Sequence, residues 1–147
     1  MKRETAGAVW PSATPPPVSA PVPGSELSWE LHELTALPRV RADLRRYTIR
    51  NGSRADVRDH LILALDEMAS NALRHGGRPV VATVQETEDA YLVEVADGAP
   101  AAPPKPAMDR DPSEGGLGLY LVAELAAAHG WYVSGGTKHV WALLPRQ

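Results

Sequence analysis

The chain has no cysteine and no phenylalanine, and aromatic residues make up only 5% of its 147 positions. Without cysteine there is no disulfide and no thiol nucleophile, and the usual ligands of a structural zinc site are missing. Without phenylalanine the core must be built from Leu, Val, Ala and the few Trp and Tyr residues. No apolar run approaches the ~20 residues that a membrane-spanning helix needs. Met1-Lys2-Arg3 is basic but no apolar stretch follows it, which argues against a signal peptide. There is no excess of positive charge either. A formal net charge of −3 gives no general electrostatic reason to expect direct nucleic-acid binding. These absences point to a cytoplasmic address and to one domain with an ordinary apolar share of 44%.

Proline is concentrated rather than scarce. Six prolines lie between Pro11 and Pro23 and five between Pro100 and Pro112, so two irregular regions are marked. Residues 1–24 read as a disordered, Pro-rich tail, and residues 25–147 as the folded domain. Within it, residues 99–114 form a Pro-rich loop too long for a plain connection, of the kind that serves as a lid.

Between these regions the apolar periodicity is clear. Ser25–Leu34 alternates Leu27, Trp29 and Leu31 with polar residues, as a half-buried strand does, and puts His32 on the solvent side. Leu37–Arg50 has helical spacing, with Pro38 in its first turn and Asn51-Gly52 at its end. Its arginines 39, 41, 45, 46 and 50 form a basic face, suited to solvent or to an acidic partner. Ser53 is placed to cap the next helix, which runs to His75 and stops at Gly76-Gly77. Pro79–Thr87 and Ala90–Ala96 read as a hairpin that delivers Asp97 at its end. A helix over Leu119–His129, closed by Gly130, precedes a last hairpin, Trp131–Ser134 and His139–Leu144, around Gly135-Gly136-Thr137-Lys138. The order predicts an α+β fold: a two-layer sandwich with a mixed, mostly antiparallel sheet covered on one face by three helices.

The functional signal lies on the second helix. Leu61, Ile62, Leu65, Met68, Ala69, Ala72 and Leu73 share its apolar side, while Glu67, Asn71 and His75 line up at i, i+4, i+8 along a flank. Alone, such a row is as well explained by a solvated face. Downstream, Asp97-Gly98, Gly115-Gly116-Leu117-Gly118 and Gly136-Thr137 each stand beside an apolar run, and the four signals together are more specific than any one. Glycines that open a helix leave backbone N–H groups free to hold phosphate oxygens. A carboxylate at a strand end can accept from an exocyclic amine, an asparagine oxygen suits Mg²⁺, and a glutamate one turn away can deprotonate a hydroxyl. Each also has an ordinary structural reading, as a turn or a glycine-rich connection.

Those motifs resemble the successive boxes of the GHKL-type, histidine kinase-like ATPase domain. The wording LALDEMASNALRHG…VEVADG…GGLGLYLVAELA…GGTKHVWALLP is most similar to small anti-sigma-factor serine/threonine-protein kinases of actinobacteria. The resemblance implies Glu67 as catalytic base, Asn71 as Mg²⁺ ligand, and His75 near the phosphates or lid. It further implies Asp97 and Gly98 at the adenine, with Thr137 supporting Asp97, and Gly115, Gly116, Leu117 and Gly118 as the phosphate cradle. ATP and Mg²⁺ would be the cofactors, and a sigma factor or a STAS-type anti-anti-sigma protein the partner, with no nucleic acid or membrane involved. Relatives of this kind pair as homodimers through the first strand and helix. The second box departs from the family's Asp-x-Gly-x-Gly, since Ala99 and Ala101 replace both later glycines and reduce backbone freedom there. The alternative is therefore a degenerate domain that binds its partner without catalysis. A histidine kinase's catalytic half fits less well, since no helical hairpin with a phosphoacceptor histidine precedes Ser25.

Overall fold

The longest helix lies across the central strand, and the rest of the chain is arranged around that seam. A computed structural model describes residues 15–17, 21–99 and 117–146. In chain order these form β1 (Leu27–Leu31), a short 3-10 turn (Leu34–Ala36), α1 (Leu37–Arg50), α2 (Ala55–His75), β2 (Val80–Glu86), β3 (Ala90–Asp97), α3 (Leu117–Leu125), β4 (Ala128–Ser134) and β5 (Thr137–Pro145). The sheet has the order β1-β2-β3-β5-β4, and every pairing is antiparallel rather than mixed.

Alternation along the strands sets the core. Val80, Ala82 and Val84 of β2, Tyr91, Val93 and Val95 of β3, and Val140, Ala142 and Leu144 of β5 face the helices and are buried. Leu61, Leu65, Met68, Ala69, Ala72 and Leu73 of α2 meet them, as the helical spacing predicts. The sheet's other face carries a smaller cluster of Ala90, Leu92, Trp141 and Leu143. Gly130 sits opposite Trp141 in the β4–β5 ladder and offers no side chain against the indole.

Three local expectations change. Ser53 does not cap α2. Residue 54 is the cap position and makes no side-chain capping bond. The Ser53 hydroxyl instead donates to Asn51 Oδ1 (2.7 Å) and lies 2.6 Å from the buried Tyr91 hydroxyl, to which Asn51 Nδ2 also donates (2.6 Å). The α1–α2 corner is thereby tied to β3. The third helix ends at Leu125 instead of His129, because the Ala127 N–H donates to Leu143 O and draws the chain into the sheet. Tertiary pairing overrides the helical propensity of the alanine run. Finally, Pro21 bridges Thr87 and the Val22 N–H donates to Glu86 O (2.7 Å), so the chain meets the sheet before Ser25. Residues 1–14 and 18–20 of the Pro-rich tail and residues 100–114 of the lid lie outside the described residues.

Candidate functional site

The row on α2 runs from the start of α3 to the end of β3. Glu67 lies against Gly118, near the beginning of α3. A Cβ on that glycine would stand 1.9 Å from Glu67 Oε1 and 2.6 Å from its Cγ, so the carboxylate occupies the space that only glycine leaves. Burial raises the Glu67 pKa above the ordinary glutamate value, and the neighbouring Asp66 charge adds to the rise while Arg74 opposes it. Asp66 itself is ion-paired with Arg41 of α1 at 2.5 Å.

One turn on, Asn71 Oδ1 is buried without a hydrogen-bond partner. Buried polar atoms are normally paired, so the unpaired amide oxygen in this row is an acceptor that a ligand or a water would satisfy. His75, at the last position of α2, is exposed.

Past the helix, Gly76 and Gly77 pack directly on the end of β3. A Cβ at Gly76 would come within 2.6 Å of Asp97 Cγ, and one at Gly77 within 2.9 Å of the Gly98 carbonyl carbon. Asp97 Oδ1 accepts from the N–H groups of Gly77 (3.3 Å) and Ala99 (2.7 Å), and the Gly98 N–H donates to Gly77 O (2.9 Å). The other carboxylate oxygen, Oδ2, is buried and accepts no hydrogen bond. The sequence reading treated Gly76-Gly77 only as a helix stop. Their close approach to Asp97 places the pair beside the candidate residues.

Thr137 is not beside Asp97. The hairpin turns on Gly135 and Gly136 alone, with φ of 60° and 77°, the geometry of a two-residue type I′ turn. Thr137 therefore opens β5 opposite Ser134, and Lys138 is the residue directly across from Asp97. Successive side chains point to opposite faces. Lys138 falls on the helix-facing side, 4% exposed, with Nζ 3.6 Å from Asp97 Oδ2. A buried lysine thus stands where a threonine was expected. No sequence motif flagged it, although counting back along the strand from the buried Val140 would have.

Among the candidate residues the described structure thus aligns Glu67, Asn71, Asp97, Gly98 and Gly118 along one seam and turns Thr137 away. Gly115 and Gly116 lie outside the described residues, as does the side chain of Leu117. Among the described residues no group of three or more His, Asp or Glu could hold a metal ion by itself. A cation here would need oxygens from a bound ligand in addition to Asn71.

The raised Glu67 pKa carries a stability consequence. Between the unfolded and folded values the native state holds the extra proton, so stability falls as pH rises through that window. Glu67→Gln removes the penalty. The variant is expected to melt at a higher temperature than the parent at neutral pH and to lose that advantage below the ordinary glutamate range, as read by melting curves across pH.

A second feature lies away from this seam. β1 is an edge strand, and between it and α1 is an open groove of about 350 Å³, lined among others by Trp29, Tyr47, Arg39, Arg46 and Arg50. Trp29 Nε1 donates to Asp43 Oδ2 at 2.9 Å, and Arg46 pairs with Asp43. No described helix is long and apolar enough to cross a membrane.

Comparison with known proteins bears on the fold. The family model of the histidine kinase-like ATPase domain matches residues 32–143. No curated protein matches the chain. Among solved structures, the RsbU and RsbW domains of Rv1364c from Mycobacterium tuberculosis superpose with a TM-score of 0.60 at 19% identity, covering 83% of this chain and 32% of that one. At that identity the likeness is one of fold, and the chain spans about a third of the longer protein.

Proposed function

The chain belongs to the histidine kinase-like ATPase domain family, and from that premise we propose that it is an ATP-binding regulatory protein of the anti-sigma type, with serine/threonine kinase activity toward a STAS-type antagonist. The observation that carries the nucleotide reading is the pair of buried acceptors without hydrogen bonds, Asn71 Oδ1 and Asp97 Oδ2, set along one helix seam. Glu67 to His75, the end of α2, spans nine residues, roughly 12 Å of helix at about 1.5 Å per residue. That length suits a nucleotide laid from base to terminal phosphate. The exocyclic amine of adenine would donate to Asp97 Oδ2, while Gly115, Gly116 and Gly118 would free the backbone at the start of α3 for the phosphates.

Asn71 supplies the neutral oxygen that Mg²⁺ accepts alongside phosphate oxygens and water. When bound, that cation would offset the phosphate charge. Glu67 would take the proton from the attacking serine hydroxyl. The new bond forms between the serine oxygen and the γ-phosphorus, the bond from that phosphorus to the β,γ-bridging oxygen breaks, and ADP leaves with the electron pair. Burial suits Glu67 to this role by raising its basicity. The arginine-lined groove beside β1 is the surface we assign to an acidic partner, a sigma factor or its antagonist.

The test is calorimetric titration with ATP, with and without Mg²⁺, on the parent and on Asp97→Ala. Binding in the micromolar range that needs Mg²⁺ and is lost in the variant is the expected result. Absence of heat at millimolar ATP would sink the nucleotide reading. The protein would then be a partner-binding domain without catalysis, a reading that the Ala99 and Ala101 replacements in the second box favour. Phosphotransfer separates the remaining cases: Glu67→Ala should abolish it and leave partner binding intact.

A further inference from the structure

We propose that the open face of the sheet is a docking surface for the chain's own N-terminal segment, with Trp10 seated over Trp141. This surface lies across the sheet from the α2 seam and does not depend on the nucleotide reading. The uncovered face of an antiparallel sheet is ordinarily solvated and polar. Here β3, β5 and β4 place Leu92, Leu143 and Ala128 in one cross-strand row, and Trp141 with Gly130 in the next. Trp141 is 1% exposed, Leu92 7% and Leu143 8%. The helices pack on the opposite face and contribute no residue to this cluster, whose partly buried neighbours Ala128 and Tyr132 are themselves strand residues. A sheet face without a second layer does not hide an indole to that degree, so the cover comes from outside the described sheet and helices.

The course of the chain says which segment supplies it. Pro21 bridges Thr87 and the Val22 N–H donates to Glu86 O, which fixes the approach to the β2–β3 turn. Further upstream, Pro17 lines a cavity of about 150 Å³ with Ala90, Leu143 and Pro145, at the near edge of the apolar patch. The N-terminal segment therefore enters this face at its apolar end. Upstream of Pro17 the large apolar side chains are Met1, Val9 and Trp10, and Trp10 is the one aromatic residue before Ser25. Prolines 11, 15, 16 and 17 favour an extended backbone of about 3.1 Å per residue, so the seven steps from Trp10 to Pro17 reach about 22 Å. Pro145 to Trp141 is four strand steps, about 13 Å. Trp10 thus reaches Trp141 with length to spare, and Gly130, directly across from the indole, leaves that flank open to a second ring. The patch ends there. Beside and beyond Trp141, Glu94 accepts from the Tyr132 hydroxyl (3.1 Å) and lies 2.6 Å from His139 Nδ1, which makes a polar border.

The test uses the full chain. It has no cysteine, so Ala8→Cys gives a single attachment point for a nitroxide two positions from Trp10. In isotope-labelled protein, the amide signals of Leu92, Gly130 and Trp141 are expected to lose more than half their intensity and to regain it when the nitroxide is reduced. Ile49, exposed on α1 in the helix layer, should keep its signal. When nitroxide-bearing protein without isotope is mixed with isotope-labelled parent, no open-face signal should change. Adding Trp10→Ala should restore the open-face signals and leave those of the helix layer in place. Full open-face intensity in Ala8→Cys would overturn the proposal. Broadening as strong in the mixture as in the single protein would overturn it too, since the occupant would then be a second copy. Broadening that survives Trp10→Ala in a folded protein would remove Trp10 as the anchor, and the proposal with it. Were that variant not to fold, the Ala8→Cys measurements, made with Trp10 in place, would decide alone.

Discussion

Lys138→Met is expected to destabilise the domain by about 3 kcal/mol, because removing one member of a buried ion pair leaves the other charge uncompensated. Asp97 is 2% exposed and cannot turn to water, since Gly76 and Gly77 close on it and two backbone N–H groups hold Oδ1. Its remaining oxygen has no hydrogen bond and is ion-paired with the Lys138 ammonium, 3.6 Å away. Met keeps the length of the lysine stem and removes only the charge, which separates electrostatics from packing. Adding Asp97→Asn should recover most of the loss, since the residual buried charge is then gone. Urea unfolding of the parent, both single variants and the double variant gives the coupling directly. Equal stability of parent and Lys138→Met would mean that the ion pair contributes nothing.

That pair also shows where the sequence was legible and where it was not. Helix α1 came out at the expected residues, and α2 differed by one residue at its start, because an apolar stripe at a 3.6-residue period can be read without knowing what it packs against. The first three strands were legible for the same reason at a period of two, whereas β4 begins at Ala128, inside the expected helix. The face presented at the site is a different matter. It depends on how many residues the last hairpin spends on its turn, and a slip of one residue moves every side chain to the other face. Reading the turn as Gly135 through Lys138 hides Lys138. The two-residue turn puts it inside and Thr137 outside.

The glycines divide along the same line. Gly115, Gly116 and Gly118 draw attention as a cluster, whereas Gly76 and Gly77 look like an ordinary helix stop. Their role at Asp97 arises from β3 returning to the end of α2, a contact between residues about twenty positions apart. Gly130 is misread for the converse reason. It ends an alanine-rich helical pattern in the sequence, yet lies within β4 because the strand pairs with β5 there. Local pattern fixes the elements here, and long-range pairing decides which side chains meet.

On the kinase reading proposed above, Gly118→Ala should cost phosphotransfer about a hundredfold or more while leaving the melting temperature nearly unchanged. The added methyl would fall 1.9 Å from Glu67 Oε1 and 2.2 Å from its carboxylate carbon. Those atoms end a flexible side chain that is only half buried, so the clash is relieved by swinging the carboxylate out of the seam. General-base catalysis contributes about 10²–10⁴-fold, and a base moved off its position forfeits that share. Gly76→Ala makes the informative contrast. Its methyl would meet Asp97 Cγ at 2.6 Å and the Ala72 carbonyl oxygen at 2.8 Å, a pinned carboxylate and a helix backbone, neither able to yield. Overpacking of that kind costs about 1–3 kcal/mol, so the second variant should lose stability and nucleotide binding together. Melting curves, ATP titration and a single-turnover phosphotransfer assay on the two proteins separate the cases. A Gly118→Ala protein that transfers phosphate at the parental rate would show that Glu67 does its work from elsewhere, or does none.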